Sequence, residues 1–230
     1  MTTINQSQTA EKNLFGYMGK VLRVNLTSST ISVEPLDEKL CERYLGGSGF
    51  VAYYLWKELS AGIDALGPEN KIVIATGPVT GTPLMGSGRH TLGAKSPLTG
   101  GIALSQVGEF WGAEIKRAGF DVVIIEGKAG KPVYINIKDS KVEIKDASHL
   151  WGQDTKETQI AIRNEIKDQR ARLLLIGPGG ENLVKFACIM GGLYDAAGRG
   201  GMGAVMGSKN LKAIAVKGSG KIPVADPKKL

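Results

Sequence analysis

The chain repeats one pattern twice, and that constrains its fold more than any single motif. Residues 20–34, KVLRVNLTSSTISVE, alternate apolar and polar through Leu22, Val24 and Leu26, turn at Thr27 to Thr30, and resume with Ile31 and Val33. This period of two around a polar turn predicts a β-hairpin. Residues 132–144, PVYINIKDSKVEI, repeat it with Val133, Ile135 and Ile137, a turn at Asp139 and Ser140, then Val142 and Ile144. A helix is predicted after each hairpin. Asp37 caps the first, which carries Leu40, Cys41, Tyr44 and Leu45 and ends at Gly46-Gly47; Asp154 and Glu157 form a capping-box pattern for the second, which runs to about Ile166. Short apolar strands with the same Gly-Pro exit follow, KIVIATGP (71–78) and ARLLLIGP (171–178). Each half then passes through glycine-rich sequence to a closing strand, DVVIIEG (121–127) or KAIAVKG (212–218).

The repeated order predicts an internally duplicated, pseudo-two-fold α+β domain of two β-sheets with helices. Hairpin-connected strands argue against a doubly wound parallel sheet. The expected layout is a disordered polar tail over 1–15 and a domain over 16–220 with repeats of about 16–127 and 131–220; residues 221–230 then start a linker to further domains. Such symmetry brings the glycine-rich segments together around a concave surface.

Composition narrows the function. Glycine supplies 32 of 230 residues, about twice its usual share of roughly 7%. No three-residue period accompanies it, which excludes collagen, and 42% hydrophobic with 22% charged residues describes a globular chain. No apolar run outlasts Phe50 to Trp56, far short of the roughly 20 residues a bilayer needs, and MTTINQSQTAEKN lacks a signal-like apolar stretch. A cytoplasmic protein with no membrane partner is expected. Cys41 and Cys188 are far apart, and His90 and His149 are scattered. They supply neither the roughly four thiolates of an iron–sulfur cluster nor the ligands of a structural zinc. Metal chemistry here would use oxygen ligands or a metal carried by a cofactor. The net charge of +7 comes without a basic run interleaved with aromatics, so no nucleic acid is expected; an acidic partner or an anionic cofactor fits the charge.

The glycine-rich segments are 76–101, 103–112, 176–182 and 196–208. Glycine lets backbone N–H groups approach an anion, with Arg89, Lys95 and Arg199 as charge; glycine equally marks turns and close packing, and composition weighs the two readings evenly. Gly198 to Gly203 satisfies GxGxxG but does not clearly leave a strand and has no acid about 20 residues on. GxxxxGK[ST] and GxSxG are absent. His149 is expected to pack on Trp151. His90, beside Arg89 in a glycine loop, is weighed toward packing with a site role as the minority reading. Phe50, Tyr54, Leu55 and Leu59 share a helix face that reads as core.

GYMGKVLRVNLTSSTISVE, PENKIVIATGPVTG, AKSPLTG, GFDVVIIEGKAGKPVYINIKD, GPGGENLVKFA and AAGRGGMGAVMGSKNLKAIAV together resemble the N-terminal domain of tungsten-containing aldehyde:ferredoxin oxidoreductases, from about Gly16 to Leu230. The resemblance implies a base for a bis-pyranopterin cofactor whose dithiolene sulfurs hold tungsten, or molybdenum, with Mg2+ shared by the pterin phosphates. By position, Arg89 resembles the arginine between a pterin and the [4Fe–4S] cluster. Gln106 and the Ala196 backbone correspond to the magnesium and phosphate contacts, while Gly108, Gly198 and Arg199 line the pterin. Two positions depart from the family pattern. Gln106 stands where Asn is common, and Asp195, a further cofactor-side position, stands where a basic residue is common and would repel phosphate. The cluster cysteines and substrate-side acids and histidines belong to later domains of that family. The resemblance therefore implies partners: the missing C-terminal domains or a separate subunit, ferredoxin as electron carrier, and homodimerisation as an open arrangement. The whole enzyme would oxidise an aldehyde to a carboxylic acid, and this chain would hold no catalytic residue and be inactive alone. The alternative is a non-catalytic ligand-binding or subunit-interaction module.

Overall fold

Two six-stranded sheets share one strand order. In the computed structural model, which describes residues 14–230, the first sheet contains β1 (Lys20–Asn25), β2 (Thr30–Pro35), β3 (Ile72–Ala75), β4 (His90–Lys95), β5 (Ile102–Val107) and β6 (Val122–Glu126). The second contains β7 (Val133–Lys138), β8 (Lys141–Asp146), β9 (Arg172–Leu175), β10 (Ile189–Gly191), β11 (Asp195–Ala197) and β12 (Leu211–Lys217). Read from the hairpin edge, the orders are β2-β1-β6-β3-β4-β5 and β8-β7-β12-β9-β10-β11, so each strand of one repeat has its counterpart in the same place. Only β1/β6 and β7/β12 are parallel; the other neighbours in both sheets run antiparallel. The tail expected over 1–15 lies outside the described residues except for Leu14 and Phe15.

Period-two alternation builds the layers. Val21, Val73, Val122 and Ile124 face outward under α1 (Glu38–Tyr44) and α2 (Ser48–Glu58), against Leu40, Phe50, Val51 and Leu55. In the second sheet Tyr134, Leu173, Leu175 and Ala213 face outward under α4 (Thr155–Glu165) and its Ile162. The opposite faces, with Leu22, Ile74 and Val123 from one sheet and Ile135, Leu174 and Ile214 from the other, enclose α3 (Trp111–Arg117) and α6 (Met202–Ser208) in a single core. Burying each such side chain contributes about 1.5–3 kcal/mol. Both predicted caps form: Asp37 accepts from the Lys39 amide at 2.9 Å, and Asp154 from the Glu157 amide at 2.8 Å.

The glycine-rich stretches are not continuous loops. They contain β4 and β5 in the first repeat, and α5 (Pro178–Glu181), β11 and α6 in the second. Gly93 interrupts the alternation of β4 because a Cβ there would lie 2.9 Å from the Ala103 carbonyl of the neighbouring strand. The GxGxxG segment does leave a strand, β11, and enters α6 through Gly201 at φ 71°. That strand is an antiparallel edge, which is not a dinucleotide-binding arrangement. Among the described residues no helix is long and apolar enough to cross a membrane.

Candidate functional site

The counterpart edge strands β5 and β11 bring the two sheets together, and glycines make the contact possible. A Cβ at Gly200 would overlap Ala103, one at Gly191 would lie 2.9 Å from Val107 Cγ2, and one at Gly108 would lie 3.1 Å from Asp195 Oδ1. The Arg199 amide donates to Ser105 Oγ across the seam at 3.3 Å. At these positions the glycines serve close packing.

An open cleft of ≈ 530 Å³ runs over the seam, lined by Ser48, Arg89, Leu104, Gln106, Ala196, Gly198 and Arg199, with Ser105 below. Alternation along β5 puts Leu104 and Gln106 on this face and buries Val107 on the other. Arg89, Gln106, Ala196, Gly198 and Arg199, five of the positions singled out in the sequence, therefore converge here. Gly108 and Asp195 face each other beside the seam, but neither lines the cleft; Asp195 borders a neighbouring cavity. Lys95, weighed as a source of charge, instead donates to the Ile63 carbonyl at 2.6 Å. A shallower hollow of ≈ 310 Å³ continues the cleft through Ser48, Arg89 and Gln106 toward the Gly46-Gly47 and Gly77-Pro78 turns.

The cleft is open and cationic. Arg89 and Arg199 are exposed, and no side-chain ion pair or hydrogen bond among the described residues ties down either guanidinium. Gly198 has no atom within 4 Å of where a Cβ would stand, so its missing side chain leaves free space in the cleft wall. The Gln106 amide and the Ala196 carbonyl add oxygen donors of the kind magnesium takes beside phosphate. No group of three or more His, Cys, Asp or Glu side chains gathers for a metal among the described residues. Exposed cations, backbone and amide oxygens, and a glycine gap suit a phosphate-bearing cofactor that brings its own metal ligands. The residues fit a pyranopterin.

The two histidines differ. His90 is buried, stacked on Trp111 with centroids 5.1 Å apart, and neither ring nitrogen has a hydrogen-bond partner. Burial lowers its pKa to about 3, so it stays neutral at ordinary pH. His149 does not pack as expected: its side chain is 58% exposed and stands 3.7 Å from the Glu165 carboxylate. Cys41 is buried, and burial pushes its thiol up to about 12. Sequence reasoning missed Ser48 and Leu104. Ser48 opens α2 and reaches the cleft only because that helix crosses β4, where its hydroxyl lies 3.4 Å from Thr91 Oγ1. Nothing local in the sequence signals such a contact.

A profile of the family described as aldehyde ferredoxin oxidoreductase, N-terminal domain, matches residues 21–218. The tungsten-containing aldehyde ferredoxin oxidoreductase of Pyrococcus furiosus is 52% identical over 94% of this chain, and the match covers 36% of that protein. The WOR-like subunit of an aliphatic sulfonate oxidoreductase from the same organism is 41% identical over 94% of this chain and 37% of its own length. A chain in the solved active-site complex BamBC of benzoyl coenzyme A reductase, with 1,5-dienoyl-CoA, superposes with a TM-score of 0.91 at 41% identity, covering 94% of this chain and 33% of that one. This chain thus spans about a third of the length of the relatives it matches. By the profile match and by identity to these relatives, the chain belongs to the aldehyde ferredoxin oxidoreductase family, to which it corresponds as the N-terminal domain.

Proposed function

We propose that this chain is the tungstopterin-binding portion of an aldehyde:ferredoxin oxidoreductase-like enzyme, with the β5–β11 cleft as its cofactor seat. One observation carries the reading: Arg89, Gln106, Ala196, Gly198 and Arg199, far apart in sequence, line a single open cleft over the seam between the repeats. When bound, the cofactor supplies the redox chemistry that converts an aldehyde and water to a carboxylic acid, two electrons leaving through a [4Fe–4S] cluster to ferredoxin. The chain's own residues bind and orient. Arg199 and Arg89 offer charge-assisted hydrogen bonds to phosphate, and Arg89, by its resemblance to the family's arginine, would stand between cofactor and cluster. The Gln106 amide oxygen and the Ala196 carbonyl would hold Mg2+. Gly198 keeps room for the pterin. Ile102 and Leu104, exposed on the same strand face as Gln106, suit coverage by cofactor and by the remaining domains or subunit, without which the chain is expected to be inactive.

The test is anaerobic purification from a host that makes tungstopterin, alone and with any partner subunit, followed by measurement of tungsten, molybdenum and pterin per chain. Near-stoichiometric metal and pterin is the expected result. Gly198→Leu, whose Cβ would have no protein atom within 4 Å and whose longer side chain would take up space in the cleft, should abolish loading while leaving the thermal melt unchanged. Protein free of metal and pterin in both preparations would overturn the reading.

A further inference from the structure

A second cavity, of ≈ 340 Å³, opens where the turn at 191–195 meets the segment entering α3. Arg163 and Gln159 of α4 and Arg172 of β9 supply much of its polar wall, and Phe110 and Leu193 an apolar one. Alternation along β11 separates it from the cleft, since Asp195 borders this cavity and Ala196 the cleft.

The two guanidiniums have no carboxylate within ion-pair distance among the described residues. Arg163 uses Nε to reach the Ala171 carbonyl at 3.0 Å, and Arg172 lies over the Phe110 ring, 4.9 Å from its centroid. Both keep donors free that a bound carboxylate could take. Gln159 is 4% exposed, yet its Oε1 has no hydrogen-bond partner. That atom and Glu109 Oε2 converge on the space beside Gly192, 3.8 and 4.0 Å from where a Cβ would stand. An orphaned buried amide costs free energy unless something fills the cavity. Turned over, the same amide presents Nε2–H to an acceptor.

Charge selects the occupant. Glu109 accepts from the Trp111 amide at 2.9 Å; burial raises its carboxyl pKa, while the Phe110 and Trp111 amides and the Arg172 charge pull it back. Arg163 and Arg172 stand against the carboxylates of Asp195 and Glu109, so the cavity has no surplus positive charge for a phosphate dianion, and a single carboxylate asks least of it. We propose that this cavity binds a small monocarboxylate with an apolar tail, its carboxylate bridging Arg163 and Arg172 and its tail against Phe110 and Leu193. The site does not depend on the cleft being a cofactor seat.

Isothermal titration of the full chain with hexanoate, hexanamide and inorganic phosphate tests this. Hexanoate should bind, hexanamide should not, and Arg172→Gln should weaken hexanoate about tenfold or more. Gln159→Leu separates binding from folding: it should weaken hexanoate while the melting temperature holds or rises, because an orphaned buried amide is removed. Hexanamide binding as well as hexanoate would reduce the site to an apolar hole, and tighter phosphate binding would make it a dianion site. Either result overturns the proposal, as does hexanoate binding that is absent or indifferent to both substitutions.

Discussion

An imidazole buried with neither nitrogen bonded gives acid a route into the core. His90 has its pKa lowered by burial from 6.5 to about 3, so the unfolded chain takes up its proton before the folded one does. Its neutral form therefore supports the fold fully above about pH 6.5, and that support is lost as the pH falls toward 3. With each unit worth about 1.4 kcal/mol, the loss by pH 4 is about 3 kcal/mol. Urea unfolding at pH 7 and pH 4 should show a smaller drop for His90→Phe than for the native chain by about that amount; equal drops would place the titrating group elsewhere. At this scale sequence pattern served His90, weighed toward packing and found against Trp111, and failed His149. His90 and His149 look alike as lone histidines, yet one is core and the other faces Glu165, because the difference is set by which strand or turn carries them. Lys95 similarly reads as loop charge and is instead a strand-end donor to Ile63.

Elements announced by local rules were legible: both hairpins by alternation, α1 and α4 by their Asp caps and apolar spacing. The strands and helices inside glycine-rich sequence were not, because glycine erases the side-chain period on which such readings rest. Its reason is in the packing. In α6 a Cβ at Gly207 would overlap the Gly180 carbonyl of α5, so glycine there is a condition for the two helices to touch. Helix propensity alone favours alanine over glycine by about 1 kcal/mol. Overlap with a backbone carbonyl reverses the sign, and Gly207→Ala should destabilise by about 3 kcal/mol in urea titration. Gly198→Ala, whose Cβ meets nothing, should fall within about 0.5 kcal/mol of the native chain. A neutral or stabilising Gly207→Ala would remove the steric account of α6. The cleft was legible as a residue set, through the family resemblance, but its floor was not, since the β5–β11 contact depends on two edges distant in sequence.

At the scale of the molecule the repeats interlock. α3, from the first repeat, packs on β9 and β12 of the second sheet, and the Trp111 indole donates to the Ile214 carbonyl there at 3.1 Å. α6, from the second repeat, contacts β3 and β4 of the first. The buried Lys209 ammonium reaches back to three carbonyls of the first repeat, those of Asn70 at 2.5 Å, Gly127 at 3.1 Å and Pro68 at 3.3 Å. Lys209→Met leaves those acceptors without this donor, and a loss of about 3 kcal/mol is expected by urea titration. The cleft is a product of the same interlocking, because both repeats contribute to its wall. Residues 16–127 and 131–220, made separately, would each expose half of the shared core and lack the helix that packs on its sheet from the other repeat. Each should show strand content in the far ultraviolet without a cooperative melt or near-ultraviolet aromatic signal. Mixed at equal concentration, they should recover both, as the Trp111 ring enters the joint core. A cooperative melt from either half alone would mean that the duplication joins two self-sufficient domains, and that the seam can open without unfolding either one.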